Sequence, residues 1–501
     1  MAWGVLADIR YRTVSDEFFE QRQLVRYAGT WSILAFGVGA VIAGEYTGWN
    51  PGLIDGGFGG LLIATLLVTL MYMALCLSLA ELAAAMPFAG CAYAYSRAAL
   101  GPWGGFLAGL TQAVIALLGS AVFVVQIGDT IVPAMDRAFG VHLPEPVWWA
   151  VLYGIFAAIN IFSVALFFRV AVILCTAALG VLVLFWYEAL PFFELHLALN
   201  TPAGLGGTPW LPNGLAGVAW ALPFAIWFYI NIEQAPLAAE ETKEPERVMP
   251  RALLWGMLIL IAAALLTLFL NSGVSPGAND VGKAKDALLV AIQNVLVFSV
   301  PHTLLPFLYL VGLVASFHTS IYAYSRCLYV LSRAGYISST LSVTHPVRRT
   351  PHYSIVAGTL FAYLVALVIY LVPRDSNVSV LLINMSVFSA LISYLLVMAS
   401  YVILARDYPW MARPYVSPLG VTGAIAAFLL AATAVVLLFH NPAYRPGLYG
   451  AAAILAGGIV YFVAFRRHRL IATPEEVFAL QLARGPRRRT GDESTASSGA
   501  G

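Results

Sequence analysis

Charge is what this sequence has least of. Only 10% of its 501 residues are Asp, Glu, Lys or Arg, against about 25% in a soluble domain, while 60% are hydrophobic. Mean hydropathy is +0.83. No polar stretch between the apolar runs is long enough to form a water-soluble domain, which argues against a sensor with an output unit. Cysteine is scarce as well. Cys76, Cys91, Cys175 and Cys327 sit in or beside apolar runs without metal-ligand spacing, so buried free thiols are expected. The eight histidines are scattered rather than clustered with Asp or Cys, which argues against an intramembrane enzyme. A cleavable leader is not expected either: residues 1–29 are polar, and the first apolar run lacks a short core followed by a cleavage site.

What fills the chain is apolar. Twelve runs are long enough for ~30 Å of hydrocarbon, which takes about 20 helical residues. They lie at roughly 30–50, 57–86, 104–132, 147–165, 170–192, 214–239, 252–272, 301–331, 354–373, 377–405, 415–440 and 446–465. The expectation is an all-α integral membrane protein with three parts: a cytoplasmic N-terminal arm (1–29), a core of about 12 transmembrane helices (30–465) and a C-terminal tail (466–501), largely disordered beyond about residue 485. The outer loop at 273–300 carries an apolar-periodic piece, Ala287–Ile292, expected as a short surface helix.

Basic residues set the sidedness. With the N-terminus inside, 21 of the 27 Lys and Arg fall on the cytoplasmic side, five fall outside (Arg137, Lys283, Lys285, Arg374, Arg445), and Arg326 lies near the inner end of span eight. Both termini are therefore expected in the cytoplasm and the protein in the cell membrane. The net charge of +2 reflects this sidedness and implies no nucleic-acid partner. The expected partners are a small-molecule substrate and the lipid bilayer. Oligomeric state is not readable, because lipid-facing and partner-facing apolar surfaces look alike.

Two runs are poor anchors. The first, Gly37-Val38-Gly39-Ala40-Val41-Ile42-Ala43-Gly44-Glu45-Tyr46-Thr47-Gly48, holds four glycines and a carboxylate. Each glycine weakens a helix by roughly 1 kcal/mol relative to alanine, and together they free backbone groups to bind something else. The sixth contains Pro223 and Pro236, which remove helix hydrogen bonds, and Asn231, Glu233 and Gln234, which are expensive in hydrocarbon. Interruptions five helices apart suggest a 5+5 inverted repeat plus two further helices, with substrate bound where helices 1 and 6 are broken. That arrangement is expected of a secondary transporter.

Glu45 lies ~7 Å inside the outer end of its span at 1.5 Å per residue. It reads either as an interfacial carboxylate or as part of the site, facing a cationic substrate. Glu233 is deeper and is read as facing a cavity or partner, suited to exchanging a proton. His318, mid-span, is the second candidate for proton coupling, with a buried histidine satisfied by Ser or Thr as the alternative. Trp227, beside the sixth break, reads as a lid or cation–π wall. Glu81 and Arg326, near inner helix ends, suit gate ion pairs or snorkelling.

Three motifs resemble the amino acid–polyamine–organocation transporters. Ile232-Glu233-Gln234-Ala235-Pro236 running into Glu240-Glu241-Thr242-Lys243 looks like that superfamily's sixth span and following loop. Pro87-Phe88-Ala89-Gly90-Cys91 with Gly101-Pro102-Trp103-Gly104 is similar to its loop between spans two and three. Ser325-Arg326-Cys327 with Ser332-Arg333-Ala334-Gly335 resembles its eighth-span ending. Within the superfamily, Ile42-Ala43-Gly44-Glu45-Tyr46 and Ala315-Ser316-Phe317-His318 look most like the ethanolamine permeases. Gln234 stands where a glycine is more usual, and Thr111-Gln112-Ala113-Val114 lacks the acidic residue of that subgroup.

The resemblance implies a permease, not an enzyme, that imports a small organic amine by alternating access. Ethanolamine is the expected substrate and a neutral amino acid the alternative. The expected substrate-binding residues are Ala43, Gly44, Glu45, Trp227, Ile230 and Asn231, with Glu233 and His318 coupling a proton. No cofactor or metal is implied, and coupling to H⁺ or Na⁺ stays open. An ionised Glu45 ~4 Å from a substrate carboxylate would cost ~4 kcal/mol at an effective dielectric of ~20, which favours an amine without a carboxylate.

Overall fold

The computed structural model describes residues 9–204, 206–296, 299–372, 378–442 and 444–484. The expected disorder beyond about residue 485, and residues 1–8 of the arm, fall outside these. Eleven helices among the described residues are long and apolar enough to cross a membrane, and Thr30–Tyr46 is a shorter apolar helix at the first predicted span. The protein is all-α, with twelve spans.

The chain begins with a two-residue strand, β1 (Tyr11–Arg12). Span one is α1 (Thr30–Val41) followed by α2 (Ala43–Tyr46). Spans two and three are the helical runs α3 (Gly52–Ala85) and α4 (Ala92–Phe139). Each is divided by a glycine whose left-handed φ no other L-residue adopts easily: Gly57 at φ 67° and Gly101 at φ 77°. The segments before those glycines therefore belong to the preceding connections.

Spans four and five are α5 (Glu145–Phe162) and α6 (Val164–Ala189). They meet at Ser163, whose extended backbone and hydroxyl cap the start of α6 by accepting from the amides of Ala165 and Leu166. The sequence reading placed this turn at 166–169. Hydropathy does not fall at Ser163, so only the cap marks it.

The outer half of span six is α7 (Gly214–Ala225), and span seven is α8 (Pro245–Ser272). Two short helices follow, α9 (Ala278–Lys283) and α10 (Ala287–Val295). The second was expected on the surface. It lies there with Gln293 and Asn294 exposed, while Leu288, Ala291 and Ile292 are fully buried where its apolar stripe covers the end of span one. The remaining spans are α11 (Leu305–Arg333), α12 (His352–Leu371), α13 (Val378–Asp407), α14 (Gly420–His440) and α15 (Arg445–Tyr461). The tail adds β2 (Leu470–Ile471), parallel to β1, and α16 (Pro474–Arg484).

Burial sorts the spans. Spans two, three, six, eight and ten are largely enclosed, whereas spans four, nine, eleven and twelve face outward with apolar side chains, as a solvent of lipid requires.

Candidate functional site

The first span is broken by a side chain rather than by loss of helical backbone. Ile42 keeps helical φ and ψ (−54°, −29°). The hydroxyl of Ser316 on α11 inserts at this point: it donates to the Gly39 carbonyl at 2.9 Å and accepts from the Ala43 amide at 3.0 Å. The bond that would run from Ala43 N–H to Gly39 C=O is thus replaced by a bridge through span eight. The helix ends at Thr47, whose backbone is extended.

The sixth span breaks more completely. After α7 the chain tightens into i→i+3 turns at Ile226–Phe228 and again at Ile232–Glu241, a form uncommon beyond three or four residues. Between them Asn231 is left-handed at φ 85°. Asparagine tolerates that conformation, and here its side-chain oxygen accepts from Gln234 Nε2 at 2.8 Å. Pro223 and Pro236 flank the break.

The two breaks touch. A Cβ on Gly44 would stand 1.9 Å from the Trp227 carbonyl oxygen, and one on Gly48 2.8 Å from the Trp227 ring. Only glycine permits this approach. Against it lies a narrow cavity of about 20 Å³ lined by Trp227, Ile230 and Asn231 of the sixth break, Ile115, Val122 and Phe123 of α4, and Ile383 and Val387 of α13. Its walls are overwhelmingly apolar. Trp227, Ile230 and Asn231 were expected at the site and line this cavity. Ala43, Gly44 and Glu45 adjoin it only through the first span's contact with Trp227.

Glu45 is fully buried, and neither carboxylate oxygen has a hydrogen-bond partner among the described residues. Its polar neighbours are Tyr229 of the sixth break and Thr267 of α8. One turn further along the same helix, Asn271 is likewise buried with unpartnered side-chain atoms. Glu233 is 2% exposed and equally unpartnered. It faces the hydroxyl of Tyr394 on α13, which lies 3.0 Å from that of Tyr72 on α3. His318 goes elsewhere: its ring sits between Phe156 and Phe167, with Nε2 3.2 Å from the Phe167 carbonyl. The structure does not bring it to the cavity.

Sequence reasoning missed Ser316, Thr267, Asn271 and the Tyr72–Tyr394 pair. Thr267 and Asn271 left a signal, two polar residues four apart on an otherwise apolar helix. The tyrosines left none, being ordinary core residues until the fold sets them beside a carboxylate.

Ion pairs close the face that carries both termini. Arg326 binds Glu241 through two bonds of 2.8 and 3.1 Å, and Arg333 binds Glu240 at 2.7 and 2.9 Å. Glu81 holds Arg413, the Tyr401 hydroxyl and the Ser417 amide. Glu81 and Arg326, suggested as gate residues, are therefore paired. On the opposite face Asn50 Nδ2 donates to the carbonyls of Val281 and Ala284, both at 2.8 Å, so α9 and α10 cap the end of span one.

Comparison with known proteins agrees with this architecture. The chain is 29% identical to an uncharacterized transporter of Rhizobium meliloti, over 75% of this chain and 78% of that one. It is 25% identical to a branched-chain amino acid permease of Bacillus subtilis, covering 74% and 80%. A probable GABA permease of Pseudomonas aeruginosa is 24% identical, covering 83% and 87%. The family model for amino acid permeases matches residues 33–466, nearly the whole membrane core, and the chain is a member of the amino acid permease family.

Proposed function

We propose that this permease carries neutral amino acids with aliphatic side chains across the cell membrane by alternating access, with the terminus-bearing face in the cytoplasm. The observation that carries the reading is the apolar cavity beside the sixth break. Its lining of Ile115, Val122, Phe123, Ile230, Ile383 and Val387 suits a branched side chain, and the space of about 20 Å³ has to widen to admit one. Ethanolamine has no such group to bury. Each methylene placed there is worth about 0.8 kcal/mol. Backbone groups around Ala43, Gly44 and Ile230 hold the polar end of the substrate, Asn231 orients it, and Trp227 closes over it. The Bacillus subtilis relative's name points to the same substrate class. The excess of arginine on the terminus-bearing side supports the orientation.

Glu45 weighed toward a simple amine. Its polar neighbours are Thr267 of α8 and Tyr229 of the sixth break, and it does not line the cavity, so its repulsion of a substrate carboxylate falls with distance. Glu233, adjoining the Tyr72–Tyr394 hydroxyl pair, is the proton carrier in this reading.

A second reading, uptake of ethanolamine, is favoured by one observation: the Glu45 carboxylate is buried with no hydrogen-bond partner among the described residues, and an ammonium would satisfy it. Uptake into proteoliposomes with competing solutes separates the two. Saturable leucine or isoleucine uptake, insensitive to ethanolamine and retained in Glu45→Gln, supports the amino-acid reading. Ethanolamine uptake abolished by Glu45→Gln, with no aliphatic amino acid carried, replaces it with the second.

A further inference from the structure

After the last span the chain turns back onto the protein. β2 pairs with β1 of the N-terminal arm, Leu470 beside Tyr11 and Ile471 beside Arg12. The Ile471 amide donates to the Ala334 carbonyl at 3.0 Å. Gly335, left-handed at φ +86°, makes room for this: a Cβ there would stand 2.6 Å from the Arg469 carbonyl oxygen. The tail is thus threaded between the arm and the end of span eight.

α16 then delivers two carboxylates into the interior of this face. Glu475 and Glu476 are 2% and 0% exposed, values rare for glutamate outside an ion pair. Glu475 meets Arg333 Nη2 at 3.2 Å, the same guanidinium that grips Glu240 at the end of span six. Glu476 pairs with Arg97 at the entrance to span three and accepts from the Tyr11 hydroxyl at 3.1 Å. The Phe478 ring packs edge-on against Phe88 at 5.5 Å.

We propose that residues 470–484 are a latch that holds the terminus-bearing side of the transporter shut. Opening this face separates the end of span six from span eight and must break the bond between Glu240 and Arg333. With the tail docked, Arg333 is bound to Glu475 as well, and Arg97 and the N-terminal arm are bound to the same helix. Span eight, the entrance to span three and both termini then move as one piece. The latch is a releasable one. Burial pushes the carboxyls of Glu475 and Glu476 above the ordinary glutamate range despite their arginine partners, so docking gives back much of what the ion pairs provide. This inference does not rest on the identity of the substrate.

Cys91 is a native reporter. It lies between spans two and three, is 1% exposed, and its Sγ is 3.4 Å from the Glu233 carbonyl of span six. Reagents reach it only when this face opens. The purified full-length protein in detergent is treated with a maleimide, and modification at each of the four cysteines is read by mass spectrometry. The expected result in Glu475→Lys/Glu476→Lys, which sets cations against Arg333 and Arg97, is Cys91 modification about threefold faster or more, with Cys175 unchanged, as for a local opening rather than global unfolding. Phe478→Ala, which loosens α16 without touching a buried charge, gives the same increase and serves if the double variant is not monodisperse. Unchanged Cys91 rates in the well-folded variants overturn the latch, as does equal acceleration at all four cysteines.

Discussion

Glu45 and Glu233 are as deeply buried as Glu81 and Glu241, yet the two pairs are treated in opposite ways. At the terminus-bearing face Glu241 is clamped by Arg326, and Glu81 by Arg413, Tyr401 and Ser417. Around the two breaks the carboxylates have no ion-pair or hydrogen-bond partner among the described residues, only neighbouring hydroxyls. A buried charge without a counter-charge is costly enough that it changes protonation state or recruits a ligand. The paired set is suited to mechanical closure, and the unpaired set to a proton or a ligand that comes and goes. Arg326 sharpens the contrast, since its guanidinium also lies 3.9 Å from the Tyr322 ring centre and is fixed on two sides.

The most severe way to break this comparison is to leave a clamped carboxylate alone. Arg326→Ala strands Glu241 in the interior and should lower stability by about 3–5 kcal/mol, whereas Arg326→Met with Glu241→Leu should recover most of it. Thermal unfolding in detergent reads both. A mild Arg326→Ala would mean that the two classes of carboxylate do not differ.

Next comes the contact between the breaks. Gly44→Ala sets a methyl against the Trp227 carbonyl. It should cost about 1–3 kcal/mol as overpacking and abolish uptake, because the first and sixth spans can no longer approach. Retained uptake in a folded Gly44→Ala protein would remove that contact from the site. Smaller still in stability, but telling for mechanism, is Glu233→Gln. The fold should survive, since no partner is lost. The response of uptake to an inward proton gradient should fall by roughly tenfold, about 1.4 kcal/mol. An undiminished response would assign the proton to another group.

Much of this was legible in the residues, and the reasons for the remainder are physical. Apolar run length is a strong signal because hydrocarbon thickness enforces it, so all twelve spans were found. Prolines and buried polar residues likewise marked the sixth break. The glycines of the first break marked backbone groups free to bind something else, but not what takes them up: Ser316, 273 residues away in sequence, bridges the Ala43 amide and the Gly39 carbonyl. Long-range insertions of one hydroxyl leave no local pattern. Glu233 was read as facing a partner, yet the tyrosines beside it come from spans two and ten, and no spacing relates them. Nor does charge pattern alone reveal α16. Glu475 and Glu476 look like a solvated acidic first turn, and only the arginines waiting on spans three and eight draw them inside.

The gentlest test bears on the tail, where the comparison turns on itself: Glu475 and Glu476 are paired, yet burial still outweighs the pairing. Their docked carboxyls hold protons more tightly than the same groups in water, whose ordinary range is near ~4.3. The sign follows by linkage. A group whose pKa rises on docking contributes to docking at low pH and loses that contribution as pH climbs through the raised value. The arginines facing them, Arg333 and Arg97, stay charged throughout. Tyr11, pushed up to about 12 mainly by its burial, stays neutral and keeps donating to Glu476. Above the ordinary glutamate range, then, the tail should loosen as pH rises. Protection of the tail amides against hydrogen exchange, corrected for intrinsic rates, should fall from pH 5 to pH 8 in the native protein. In Glu475→Gln/Glu476→Gln, where both side chains are neutral at every pH, it should be flat and close to the native value at pH 5. A native protein whose tail tightens with rising pH would show that the arginines win outright and that the tail is a permanent staple.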